Sequence, residues 1–150
     1  MFDKRWFMVK DYEIKGTVLD GIPDRLSESE VLYSLRTKQI DTRYLNAMKE
    51  VTGFSLETMA DWLNVTPRTL RNYTQQKTTW NESFKEHLLL LLGLFKHGQK
   101  VFGSSVTFDE WLKIKNFHFD DCAPVTFLNT VTGVRFIDNS LTAMEFGDNV

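Results

Sequence analysis

The chain has very little cysteine: one residue, Cys122, among 150. Disulfide frameworks need pairs of thiols, and Cys-rich zinc modules need several, so both are excluded. Long apolar runs are also missing. The longest, residues 88–92 extended by Gly93, Leu94 and Phe95, falls well short of the ~20 residues of a membrane span. The start, Met1-Phe2-Asp3-Lys4-Arg5-Trp6, lacks the basic, apolar and small-residue layout of a secretory leader, so the cytoplasm is the expected compartment. There are no convincing paired strands, no internal repeat and no low-complexity tract. Thr132-Gly133 is no phosphate loop, because the glycine-rich run and its lysine are absent.

What is present is apolar and aromatic. Apolar residues make up 42% and aromatic residues 13%, including twelve Phe and four Trp. That is enough to build a core, so global disorder is excluded. The length fits one domain or two small ones. The net charge is −2, from 18 Lys+Arg against 20 Asp+Glu, which argues against a uniformly basic nucleic-acid binder. The total conceals an uneven distribution. Residues 1–50 balance to zero, residues 51–100 sum to +2, and residues 101–150 sum to −4. Such asymmetry suits different partners for different parts of the chain, although two ordinary solvated faces would give the same sums.

The apolar spacing predicts an all-α fold. Residues 1–24 form an arm of unassigned role, either a short strand around residues 12–19 or an irregular segment ending at Gly21-Ile22-Pro23. Ser27 and Glu30 form a capping box ahead of a stripe at Val31, Leu32 and Leu35. A second helix starts near Asp41-Thr42, carries Tyr44, Leu45, Met48 and Val51 inward, and stops at Gly53. Ser55 caps a third, and Thr66-Pro67 opens a fourth. A long helix opens at Trp80-Asn81-Glu82 and runs to about Phe102. It is apolar nearly all round, so it lies either at the centre of the fold or at a dimer seam. Gly103-Ser104-Ser105 is the candidate domain junction. Beyond it, Thr107 caps a helix with Phe108, Trp111, Leu112 and Ile114, residues 116–123 form a loop, and Pro124 opens a short helix with Phe127 and Leu128. Thr132-Gly133 breaks the chain before a last helix with Val134, Phe136, Ile137, Leu141 and Met144.

Residues 55–76 match a helix-turn-helix. Met59, Leu63, Val65, Leu70 and Tyr73 form its core, and Ala60 sits where the two helices cross. Asn64 occupies the turn, where a left-handed backbone is wanted. The second helix would enter the major groove. Thr66 and the positive helix end suit phosphate. Arg68, Thr69, Arg71, Asn72, Gln75 and Gln76 face outward, and Lys77 reaches a phosphate. The outward set contains no acid. The plainer reading is an ordinary helix pair with a polar surface.

The run Phe108-Asp109-Glu110-Trp111-Leu112, with Asn116, Pro124, Leu128-Asn129-Thr130, Gly133, Ile137, Leu141 and Glu145-Phe146-Gly147, resembles the toxin-binding domain of the Xre/MbcA/ParS antitoxin family. Residues 65–71 resemble that family's recognition-helix start, and Lys100-Val101-Phe102-Gly103 the end of its linking helix. The resemblance covers roughly residues 40–147. Departures are Asn64 in place of the turn glycine, Phe108 where alanine is frequent, and a bulkier, more acidic 116–123 loop.

The resemblance implies a type II antitoxin. A helical DNA-binding domain at 25–103 would bind the operator of its own operon. A domain at 104–150 would bind a toxin, most often a RES-domain protein that degrades NAD. Glu145, Phe146 and Gly147 would form the toxin-facing tail, and the protein would be a homodimer on palindromic half-sites. Independently, the acidic last third with Phe117, Phe119 and Phe146 suits a protein partner. Phe127 and Phe136 read as core, and Phe146 as either. No enzyme is expected, since no nucleophile–base pair is evident. No cofactor is expected, and no metal site either, because His118, Asp120, Asp121 and Cys122 lack a completing cluster. The alternatives are a free-standing helix-turn-helix regulator whose C-terminal part serves dimerisation or ligand sensing, and an interaction module with a vestigial helix-turn-helix.

Overall fold

A computed structural model describes residues 18–23, 25–75 and 79–147. The helices are α1 (Glu28–Thr37), α2 (Thr42–Val51), α3 (Leu56–Trp62), α4 (Pro67–Gln75), α5 (Glu82–Phe102), α6 (Ser105–Lys113) and α7 (Val131–Glu145), with 3-10 turns at Phe117–Phe119 and Pro124–Phe127. The fold is all-α. Among the described residues there is no strand, only an isolated bridge between Asn116 and Cys122. None of the described helices is long and apolar enough to cross a membrane.

Most helix starts follow the capping residues. Ser27 Oγ accepts from Glu30 N, and the Glu30 carboxylate accepts from Ser27 N at 2.7 Å. Asp41, Ser55 and Asn81 each accept a first-turn amide with their side chains. Two starts lie upstream of the expected ones. Gly103 ends α5 in the left-handed region (φ 82°) and turns the chain straight into Ser104, which caps α6. Thr107 is therefore inside the helix and donates its N–H to Ser104 Oγ. Likewise Thr130 caps α7, so Thr132-Gly133 lies in its first turn rather than breaking the chain. Gly133 is there for closeness: a Cβ would sit 1.8 Å from the Phe127 carbonyl oxygen.

Two further expectations change. Leu32 is exposed with Tyr33, and α1 turns Val31 and Ser34 inward instead. Residues 18–20 are helical rather than extended. This segment is held by lysines: Lys96 Nζ donates to the carbonyls of Leu19 (2.7 Å) and Ile22 (2.5 Å), and Lys38 Nζ to that of Gly21. Ile22 is buried. The rest of the arm, residues 1–17 and 24, lies outside the described residues.

The long helix is at the centre. Every residue from Leu88 to Phe95 is buried, with α7, α6, α2 and α1 packed around it. Its two-sided burial is met within one chain, so it gives no reason to invoke a dimer seam. Each fully buried Leu or Phe contributes about 1.5–3 kcal/mol, which makes this stretch a principal source of stability.

The aromatic residues form a chain of contacts through the fold. Ring centroids step from Phe54 to Trp62 (5.1 Å), Phe95 (5.7 Å), Phe108 (5.3 Å), Trp111 (6.0 Å), Phe119 (5.9 Å) and Phe136 (5.4 Å). The sequence begins before α3 and ends on α7, so one core runs across Gly103. Asp109 of α6 adds a polar pin: its buried carboxylate accepts from Thr52 Oγ1 (3.2 Å) and Gly53 N (2.7 Å).

Gly133→Ala is expected to cost at least about 2 kcal/mol, because the clash is with backbone and overpacking costs about 1–3 kcal/mol. Denaturant titration reads it. An unchanged midpoint would mean that the 127–133 turn is not packed as described.

Candidate nucleic-acid interface and C-terminal segment

α3 and α4 are joined by four residues. Leu63 N donates to Met59 O, and Val65 N reaches back to Ala60 O at 3.1 Å. Asn64, between them, has φ 58°, the left-handed conformation that asparagine tolerates best after glycine. Thr66 Oγ1 accepts from Thr69 N at 3.1 Å and caps α4. Met59, Ala60, Leu63 and Leu70 are buried, while Val65 and Tyr73 pack partly against the core. Tyr73, Trp80 and Phe84 meet ring to ring at 4.9–5.5 Å, which fixes the inner side of α4 on the start of α5.

This packing turns Arg68, Arg71, Asn72 and Gln75 outward, all exposed. The two threonines are already engaged: the Thr66 hydroxyl donates to Thr69 Oγ1 at 2.9 Å, and Thr69 is half-buried. Their part is to build the first turn. Gln76 and Lys77 lie outside the described residues. The outward face is less free of acid than α4 alone suggests. Glu57, from α3, places Oε1 3.4 Å from Arg71 Nη2, with both side chains more than half exposed. Exposed pairs of this kind are worth about 0–1 kcal/mol, so Arg71 is easily released.

At the other end, Phe146 is 72% exposed and Gly147 adopts φ 84°. Glu145 is at the surface, with one carboxylate oxygen reaching back to His97 Nε2 of the core helix at 2.7 Å. Phe117 is 83% exposed, whereas Phe119, grouped with it on sequence, is 2% exposed and belongs to the aromatic chain. Phe136 is the reverse case: expected in the core, it is 45% exposed. The inward stripe of α7 is Val134, Ile137 and Leu141, and Phe136 falls off that stripe. Its ring leans on Phe119 and Phe127, at 5.4 and 5.5 Å, from outside. The 116–123 loop is knotted by its own backbone: the Asn116 carbonyl accepts from Phe119 N and Asp121 N. Asp120 and Asp121 are both left-handed, with φ 53° and 59°. Among the described residues, no group of three His, Cys, Asp or Glu is placed to hold a metal.

Two histidines of the long helix have partners that the sequence spacing does not show. His87 is buried and donates Nε2–H to Leu128 O at 2.9 Å; burial holds its pKa below the usual value, with the hydrogen bond opposing. One residue on, Asn129 O accepts from Asn64 Nδ2 at 3.0 Å. The strand of chain before α7 is thus fastened to both α5 and the α3–α4 turn. His97 is fully buried against two carboxylates. Its partners are 41 and 48 residues away, beyond any local pattern. The available signal was that a histidine on a helix apolar all round must be buried, and therefore paired.

No protein-family model matches the chain, and no characterised protein matches it in sequence.

Asn64→Ala is expected to cost about 2 kcal/mol, about 1 for the left-handed backbone and about 1 for the lost bond to Asn129. Asn64→Gly keeps the backbone conformation and loses only the side-chain bonds, to Asn129 O and the longer one to Trp62 O, so it is expected to cost about half as much. Equal stability of the alanine variant and the wild type in urea titration would contradict the turn geometry.

Proposed function

We propose that the chain is an antitoxin that binds the operator of its own operon through α3 and α4 and neutralises a toxin through its C-terminal segment. The observation that carries the DNA half is the tight turn at Asn64. With Leu70 buried beneath it, α4 offers Arg68, Arg71, Asn72 and Gln75 on one outward face. Arginine pairs two-pronged with guanine, and Asn or Gln with adenine, so these side chains suit base edges in a major groove. Basic side chains on the same face also suit phosphate, and the segment around them is the locally basic part of an acidic chain.

The toxin half rests on the resemblance over residues 40–147 to Xre/MbcA/ParS antitoxins. The exposure of Phe117, Phe136 and Phe146 in the acidic last third supports it, because exposed aromatics with a charge imbalance suit a protein partner. That resemblance points to a RES-domain, NAD-degrading toxin. It also implies a homodimer, which would set two α4 helices one DNA turn apart. The chain's own role is binding, with no enzymatic step and no cofactor.

The test is co-expression with the product of the adjacent gene. Rescue of growth and co-purification are expected; a toxic neighbour that is neither bound nor relieved would overturn the antitoxin reading and leave a free-standing regulator. DNA binding is read by fluorescence anisotropy on the upstream region at graded salt. The Arg68→Ala, Arg71→Ala double variant should bind more weakly and with a shallower salt slope, each phosphate contact contributing about 0.9. Unchanged affinity would remove α4 from DNA binding. Glu57→Gln should bind more tightly than the wild type, because it removes the acid beside Arg71 at little cost in stability.

A further inference from the structure

A neutral imidazole has one N–H, and a carboxylate can only accept. His97, on α5, has no exposed surface. Its Nδ1 lies 2.8 Å from Asp138 Oδ1 and its Nε2 2.7 Å from Glu145 Oε2. Both ring nitrogens therefore carry protons, and His97 is an imidazolium clamped between two points of α7. Lys100, one turn along α5, places Nζ 3.4 Å from the other oxygen of Glu145. The clamp sits at the last residue of α7. Beyond it the turn closes with Phe146 N donating to Thr142 O (3.1 Å) and Gly147 N to Met144 O (3.0 Å). The Glu145 carboxylate is thus drawn back to His97 at the surface, and its neighbour Phe146 is turned out, with the Arg25 guanidinium 5.9 Å over its ring.

We propose that His97 is a positioning residue: as a buried imidazolium between Asp138 and Glu145, it fixes the last turn of α7 so that Phe146 is held out to a protein partner. The partner in this statement rests on the antitoxin reading above; the clamp does not. Glu145 acts through this turn, and Phe146 makes the contact.

The electrostatics agree with the geometry. Burial is the largest single influence on His97 and lowers its pKa, but the hydrogen bonds to Asp138 and Glu145 together outweigh it and leave it above the usual value. The bond from His97 is the first cause that lowers the Glu145 pKa; burial opposes it and Lys100 adds to it. Other charged groups on the packed elements are engaged elsewhere or lie at the surface. Asp109 of α6 faces Thr52 and Gly53. Glu28 of α1 and Arg135 of α7 border a cleft beside Asp138. Arg43, Lys49 and Glu50 of α2 are exposed. A raised histidine pKa makes the clamp complete below the unfolded value near 6.5 and loosens it as pH rises through the folded value. A lowered Glu145 pKa loosens it again as pH falls through the folded carboxylate value.

The test uses the full chain. Nitrogen NMR of labelled histidine should find both His97 ring nitrogens protonated at pH 7. The Phe146 and Gly147 amides should exchange with solvent faster as His97 loses its proton above the usual histidine range. Glu145→Gln, a surface change that spares the core, should lower the His97 pKa and speed exchange at those amides about tenfold. It should weaken binding of the adjacent gene's product by a similar factor. Phe146→Ala should weaken that binding while leaving the His97 titration and the exchange of the Gly147 amide at wild-type values. A neutral His97 at pH 7 would overturn the proposal. So would a Glu145→Gln chain that exchanges as the wild type does, or one that exchanges faster yet binds unchanged. If the wild type binds no such protein, the antitoxin reading fails, and the clamp is judged on the nitrogen spectra and the exchange alone.

Discussion

A helix that is apolar on every side must be covered on every side, and α5 imposes that requirement on the whole fold. From Leu88 to Phe95 it offers no face to water. The chain meets the demand by wrapping α1 and α2 on part of it and α6 and α7 on the rest. The two surfaces of functional interest follow from this. Leu70 and Tyr73 hold α4 against the α5 end of the core, so Arg68, Arg71, Asn72 and Gln75 face out. Val134, Ile137 and Leu141 hold α7 against the middle, so Phe136 is left outside. Both faces are what remains after one core has been filled.

Apolar burial has no direction, and a helix could slide or turn on α5 at little loss. A few polar side chains remove that freedom. Asp109 ties α6 to the start of the α3 approach through Thr52 and Gly53. His87 and Asn64 hold successive carbonyls, of Leu128 and Asn129, just ahead of α7. His97 then holds α7 at Asp138 and Glu145. Asp109, His87 and His97 are buried, so each is costly if unpaired, and each has its partners and admits one register. The Asn64 bond also links the α3–α4 turn to the C-terminal segment directly.

The local features were readable because their causes are local. Ser27, Asp41, Ser55, Thr66 and Asn81 satisfy amides two or three residues away, and the apolar stripe of α2 repeats within three turns. Asn64 is legible for the same reason, since a left-handed turn is set by the residue that occupies it. Where two caps competed the sequence misled: Thr107 looks like a cap until Gly103 is seen to bring Ser104 into that place. Gly133 looks like a break because the Phe127 carbonyl that requires it is delivered by a separate turn. Phe119 and Phe136 exchange the roles their spacing suggests, because the decision belongs to how the 117–119 and 124–127 turns pack between α6 and α7. His97 was illegible for the most basic reason, its partners being remote in sequence. Glu145, read as a contact residue, is at the surface but has its carboxylate committed to that same interaction, while the Phe146 ring beside it is exposed.

The uneven charge acquires a structural setting from the shared core. The basic stretch carries α4 and the acidic stretch carries α6, α7 and the knotted 116–123 loop, and the aromatic chain from Phe54 to Phe136 joins them. The decisive measurement is whether the two parts unfold together. In a chain labelled with fluorotryptophan, Trp62 reports on α3 and Trp111 on α6, and urea titration follows both signals in one sample. One core requires the two transitions to coincide in midpoint and slope. A Trp111 transition at distinctly lower urea, with Trp62 still native, would contradict it, because α5 and the helices before it would then stay folded without the cover of the C-terminal segment.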